Sequence, residues 1–267
     1  RSAAGPAEIA WDPARGALDP AGLEDLAALV HLGGAGIAEG RWTPARKRLL
    51  RESRLASTAL LAETLARLAR PPRAFLCASA VGIYGDAGET PVDEGSPPGR
   101  GFLAELARDW EAACAPARAA GIRVVNLRLG TVLAREGGAL ARLAPLARLG
   151  LGGPLGSGRQ YLSWIALEDL VAALRFCLER EDIAGPVNLV APDPRRQVDF
   201  ARALGRTLGR PALVPAPGFA LRLLLGEMAG ELLLTGAAVR PARLEAAGFR
   251  WRWPRLEGAL ADLLGRP

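Results

Sequence analysis

Lysine is almost absent from this chain. Lys47 stands alone, beside one histidine (His31), two tyrosines (Tyr84 and Tyr161), one methionine and three cysteines in 267 residues. Each shortage excludes some chemistry. Cys77, Cys114 and Cys177 are far apart and form no C-x-x-C pair, so with one histidine no metal set is expected. The cysteines read as small buried residues in a reducing compartment. No apolar run reaches the roughly 18 uncharged residues of a membrane span. Residues 1–13 also lack the apolar core and cleavage pattern of a signal peptide. The expected location is the cytoplasm, with no membrane partner. The net charge of +6 comes almost wholly from arginine, scattered beside acids as in residues 46–54 and 175–181. There is no basic arm and no aromatic platform on which bases would stack, so no nucleic-acid partner is expected either.

What is present is enough for a sizeable core, since half of the residues are apolar. Short β-branched or apolar runs alternate with longer helical patterns, the signature of a parallel sheet covered by helices. Strands are expected at residues 29–32, 73–79, 122–127 and 187–190. Helices are expected from Pro44, capped by Thr43, to about Arg70, and over 101–120, 137–149 and 167–180. A glycine-rich loop at 150–160 looks like the lining of a cleft. Gly150, Gly152 and Gly156 within it are not read as a phosphate loop, because a helical pattern and not a strand precedes them. Beyond residue 190 the chain is mostly helix: 197–208, 219–234, 241–247 and 256–264. This divides it into a main domain at 1–190 and a smaller, mainly helical substrate-side lobe at 191–267. In open α/β sheets ligands bind beyond the carboxyl ends of the strands. The residues of interest are therefore Gly33-Gly34, the segment 78–84 and the segment 128–132.

Those strand ends carry recognisable wording: Val30-His31-Leu32-Gly33-Gly34, Gly40-Arg41-Trp42, Ser53-Arg54, Ser79-Ala80-Val81-Gly82-Ile83-Tyr84-Gly85, and Ser163-Trp164-Ile165. With the runs 94–98, 102–111, 149–160, 185–188 and 223–228 they span essentially the whole chain. Together they resemble the epimerase family proteins, an atypical branch of the extended short-chain dehydrogenase/reductase superfamily with a helical C-terminal domain. The resemblance implies a Rossmann-like, doubly wound parallel sheet. It also implies a first strand and a G-x-x-G-x-x-G turn, which do not stand at the front of this chain. Arg1-Ser2 would be the end of the second strand and residues 8–11 the short third one. A preceding βαβ segment of roughly 30 residues, bearing the phosphate loop and the middle of the sheet, is therefore expected.

The resemblance also implies a nicotinamide cofactor. Arg1 would lie by the adenosine ribose, where a guanidinium suits a 2′-phosphate, so NADP is expected rather than NAD. Leu32, Gly33, Gly34, Ser79, Leu129 and Thr131, at strand ends, complete the cofactor candidates with Arg54, which either reaches a phosphate or is an ordinary surface arginine. Gly33 and Gly34 would equally form a plain tight turn. Relatives carry an acid in the pattern L-A-G-E-x-I, which Leu32 to Ile37 has lost, and a histidine in W-I-H, which is Ala166 here. Their usual proton relay, a tyrosine with a lysine four residues on, has no counterpart: its places fall on Leu103 and Ala107. Ser79 and Tyr84 are left as catalytic candidates, with capping a turn and ring packing as their plainer roles. His31, in an apolar strand, reads as a core residue. Trp164 and Tyr161 would wall the cleft or belong to the core, and Glu168 and Asp169 sit where a helix dipole favours acids. Two functions follow: an NADP-dependent oxidoreductase or epimerase-like enzyme for a small substrate, or a non-catalytic NADP(H) sensor.

Overall fold

The computed structural model describes residues 8–265. Four parallel strands, Ala28–His31, Ala74–Ala80, Arg123–Leu129 and Gly185–Leu189, hydrogen-bond in that order. Ala74–Ala80 is buried at every position but its last, because helices cover both faces and leave neither to water. Side chains alternate between the two layers. Phe75, Cys77 and Val124 pack with Leu61 and Leu65 of the helix Pro44–Leu65, Trp110 of Phe102–Ala112 and Ala117 of Ala115–Ala119. Leu76, Val125, Leu127 and Val187 point the other way, onto Ala173 and Cys177 of Leu167–Glu179 and Leu244 of Ala242–Ala246. The Rossmann-like α/β arrangement is thus built by a period of two in the strands.

The ends of elements follow local chemistry. Thr43 Oγ1 accepts the Arg46 N–H at 3.2 Å, and Pro44 takes the first helical position, where its missing N–H costs nothing. The helix stops at Leu65 and not near residue 70: the Arg67 and Leu68 N–H groups turn to the carbonyls three residues back, and the Glu24 carboxylate then accepts the Ala69 and Arg70 N–H groups. The helical stretch expected over 101–120 is two helices, since Pro116 has no N–H to donate to Ala112. The stretch 219–234 likewise divides into Gly218–Leu225 and Glu227–Leu232 at Gly226, whose φ of +66° is left-handed.

The third strand expected at residues 8–11 does not join the sheet. Trp11–Asp12 instead pairs antiparallel with Ala17–Leu18. Asp12 caps the turn Pro13–Arg15 with its carboxylate, and left-handed Gly16 closes the hairpin. Beyond the sheet, Thr131–Leu133 runs parallel to Trp164–Ala166, and Tyr161–Leu162 pairs antiparallel with Arg195–Arg196. Leu133, Leu140 and Trp164 pack with Phe200, Leu204, Leu256 and Leu260, so the C-terminal helices share a core with segments before residue 190.

Candidate functional site

Strand register brings three polar residues into one row at the carboxyl ends. Ser79 is opposite Arg128, and Arg128 is opposite Asn188, so their side chains leave the same face of three adjacent strands. Glu111 reaches this row from the last turn of Phe102–Ala112, and Tyr84 from the short 3-10 turn Val81–Tyr84. Ser79, Arg128, Asn188 and Tyr84 are all buried, and burial requires every polar group to find a partner. They do so within one connected network. Glu111 Oε1 accepts from Ser79 Oγ at 2.7 Å and from Arg128 Nε at 2.8 Å, while its Oε2 accepts from Arg128 Nη2 at 3.0 Å. Arg128 Nη1 donates to Tyr84 Oη at 2.9 Å, and the Tyr84 hydroxyl donates to Asn188 Oδ1 at 2.8 Å. Asn188 closes the chain through Nδ2 to Arg240 O and through its N–H to Glu94 Oε1, both at 2.9 Å.

The electrostatics follow from that packing. Burial works against the Arg128 charge, but hydrogen bonds and attraction from Glu111 outweigh it and hold the guanidinium protonated above its ordinary value. Burial pushes the Tyr84 phenol up, and the nearby Arg128 offsets this only in part. Tyr84 therefore stays a neutral phenol whose one proton is already given to Asn188. Ser79 likewise spends its proton on a carboxylate. The places of the tyrosine–lysine relay offer no replacement. Leu103 packs beside Trp42, Met228 and Leu232 and donates its N–H to Glu231 Oε2 at 3.2 Å, and Ala107 is buried with Ile83, Val190 and Val239.

The cofactor candidates lie along the same edge of the sheet, except Arg1, which is outside the described residues. Leu32 is exposed, and Leu129 and Thr131 are half-buried. A Cβ on Gly33 would come within 2.9 Å of His31 Cε1, and one on Gly34 within 3.1 Å of Arg54 Cζ, so a larger residue would displace the His31 ring at the first position and crowd the flexible Arg54 side chain at the second. Arg54 donates to the carbonyls of Leu50 and Ala35 at 3.1 and 3.0 Å and lies 5.1 Å from the Trp110 ring. Its positive charge meets no carboxylate among the described residues; burial, and then Arg46, work against it. With Ser79 and Arg128 committed inward, these strand ends offer backbone, a methyl-bearing hydroxyl and apolar side chains. Such a lining is chemically compatible with a flat, partly apolar ligand, and the Arg54 guanidinium, bonded to the Leu50 and Ala35 carbonyls, adds a positive charge beside it.

Other candidates resolve simply. His31 is a core residue: the Ser57 hydroxyl donates to backbone carbonyls, so His31 Nε2–H donates to Ser57 Oγ at 3.0 Å. Trp164 is core, whereas Tyr161 is half-buried under the Arg196 guanidinium. Asp169 accepts the N–H groups of Arg252 and Trp253, and Glu168 pairs with Arg252. The three cysteines are free and buried. Arg128 lies in the segment 128–132 singled out from the sequence but was not named as a site residue, and Glu111, Asn188 and Glu94 were not named either; a charged residue inside the apolar strand Arg123–Leu129 was a usable signal.

A profile of the NAD dependent epimerase/dehydratase family matches residues 15–189, and one of a domain of unknown function, DUF1731, matches residues 216–263. An epimerase family protein of Mycobacterium leprae is 42% identical over 267 residues, covering 100% of this chain and 86% of its own length. The crystal structure of human epimerase family protein SDR39U1 with NADPH superposes with a TM-score of 0.86 at 35% identity, over 90% of this chain and 82% of that one. A nucleoside-diphosphate sugar epimerase from Corynebacterium glutamicum superposes with a TM-score of 0.80 at 35% identity, over 99% of this chain and 51% of that one.

Proposed function

From the premise that this chain belongs to the NAD dependent epimerase/dehydratase family, as one of its epimerase family proteins, we propose that it binds NADP(H) without acting as a tyrosine-relay dehydrogenase. One observation carries this reading: the two catalytic candidates, the hydroxyls of Ser79 and Tyr84, are buried and already donate inside the network around Arg128 and Glu111. A proton relay needs a group that exchanges its proton with substrate, with a pKa near the working pH. Tyr84 is shifted the other way. Support for NADP over NAD comes from the human relative, crystallised with NADPH.

Leu32, Gly33, Gly34, Leu129 and Thr131 would flank the nicotinamide and its ribose, and Arg54 would face a phosphate. When bound, the cofactor supplies a hydride donor or acceptor. The residues of this chain bind it, orient it and keep the strand ends dry. The role that fits is a soluble-ligand sensor, a protein whose occupancy follows the NADP(H) pool.

A second reading, turnover on a small substrate, is favoured by the 35% identity to a protein described as a nucleoside-diphosphate sugar epimerase. In that case water must carry the proton. The test uses the protein as encoded by its complete gene. Calorimetric titration should show NADPH bound more tightly than NADH. A panel of carbonyl compounds and nucleoside-diphosphate sugars should give no cofactor oxidation or sugar epimerisation, and Ser79→Ala should leave NADPH affinity unchanged. Turnover that disappears in Ser79→Ala would instead establish the second reading.

A further inference from the structure

Two stretches of the chain, residues 137–167 and 200–226, contain seven arginines and no Asp or Glu. They lie side by side. Ala216 N–H donates to Pro154 O at 2.8 Å, Gly156 N–H to Ala216 O at 2.9 Å, and Arg210 Nε to Arg148 O at 3.0 Å. The same stretches hold much of the exposed apolar surface. Leu149 is 74% exposed, Leu213 77%, Phe219 78% and Leu223 78%, with Leu224 and Leu151 also open to solvent.

The helix Gly218–Leu225 contains no buried residue. It rests on the body through Leu225, which packs against the cluster of Trp42 and Met228. Phe219 and Leu223, four residues apart, share its outward side, with Arg222 next to them. Large exposed apolar side chains gathered in this way go beyond the scattered single ones of an ordinary monomer surface. The side chains of Arg148 and Arg222 meet no carboxylate among the described residues.

Charge decides what fits this face. A second copy would set arginine against arginine across a two-fold axis, which like-charge contact disfavours. An anionic lipid surface satisfies both features at once, since acyl chains take the aromatic and aliphatic side chains while phosphates and carboxylates take the guanidinium groups. No helix among the described residues is long and apolar enough to cross a membrane, so the association lies on the surface. We propose that this face docks on an anionic bilayer, entered by Leu213, Phe219 and Leu223 and held by Arg148 and Arg222.

The test is cosedimentation of the full chain with phosphatidylcholine vesicles, with and without phosphatidylserine. Binding is expected to the phosphatidylserine vesicles alone and should fall as salt is raised. Arg148→Glu with Arg222→Glu should weaken it roughly tenfold or more, and Phe219→Ser with Leu223→Ser should abolish it. All four side chains are exposed, so thermal unfolding followed by circular dichroism should be unchanged and shows that the variants fold. Failure to bind either vesicle, or equal binding by wild type and both variants, would overturn the proposal. So would a dimer by light scattering that Phe219→Ser with Leu223→Ser dissociates in a protein that ignores vesicles, since the occupant is then a second copy.

Discussion

His31 is the only histidine, which makes its protonation readable in the whole protein. Burial lowers its pKa from 6.5 to about 4, and its ring stands edge-on to Trp11 with centroids 6.0 Å apart. The unfolded chain takes up a proton as pH falls through 6.5, while the folded one stays neutral until near 4. The resulting stability, about 3 kcal/mol, is present above pH 6.5 and is lost progressively between pH 6.5 and 4. Urea melts across that window should show this slope in the wild type and a flatter one in His31→Gln; parallel slopes would refute it. Arg128 gives a second residue-scale expectation. Arg128→Met leaves the Glu111 carboxylate buried with only the Ser79 hydroxyl, and should cost about 3–5 kcal/mol in denaturant unfolding. Adding Glu111→Leu to that variant should recover much of the loss, because a buried pair costs more to break than to remove.

At the scale of elements, a single carboxylate ties distant segments together. Asp169, in the first turn of Leu167–Glu179, accepts from Arg252 N at 2.8 Å and Trp253 N at 3.0 Å. Asp169→Ala strands the buried Trp253 N–H and frees the more exposed Arg252 N–H, and should cost about 1–3 kcal/mol in denaturant unfolding. Arg54 plays a similar part for the loop after Ala28–His31, since it holds the Ala35 carbonyl. Arg54→Ala should raise amide exchange over residues 33–36 while leaving the helix Pro44–Leu65 protected. The start of that helix was legible because Thr43 and Pro44 act within four residues. Its end was not, since the apolar pattern runs on to residue 70 while the N–H groups of Ala69 and Arg70 go to Glu24, far away in sequence. The breaks at Pro116 and Gly226 were signalled by residue type, yet the apolar pattern ran across both.

For the whole molecule, the shared core makes a clear expectation. Ending the chain at residue 190 would strip Phe200, Leu204, Leu256 and Leu260 from Leu133, Leu140 and Trp164. Such a fragment should fail to fold cooperatively, whereas in the intact chain far-UV circular dichroism and tryptophan fluorescence should report one coincident transition. Two separate transitions, with the fragment 8–190 folding by itself, would contradict this.

The sequence by itself determined the layers of the molecule. Alternating strand and helix patterns, caps and family wording at the strand ends are local signals, and they gave the parallel sheet, the helical C-terminal third and the absence of a tyrosine–lysine pair. Only the tertiary structure decided which groups Ser79 and Tyr84 hydrogen-bond to, and that Gly33 and Gly34 lie close against His31 and Arg54. The reason is register. Ser79, Arg128 and Asn188 become neighbours only when three strands align, and Glu111 and Tyr84 meet them only when a helix and a turn fold back over the sheet. Spacing along one strand carries no record of which residue stands opposite on the next.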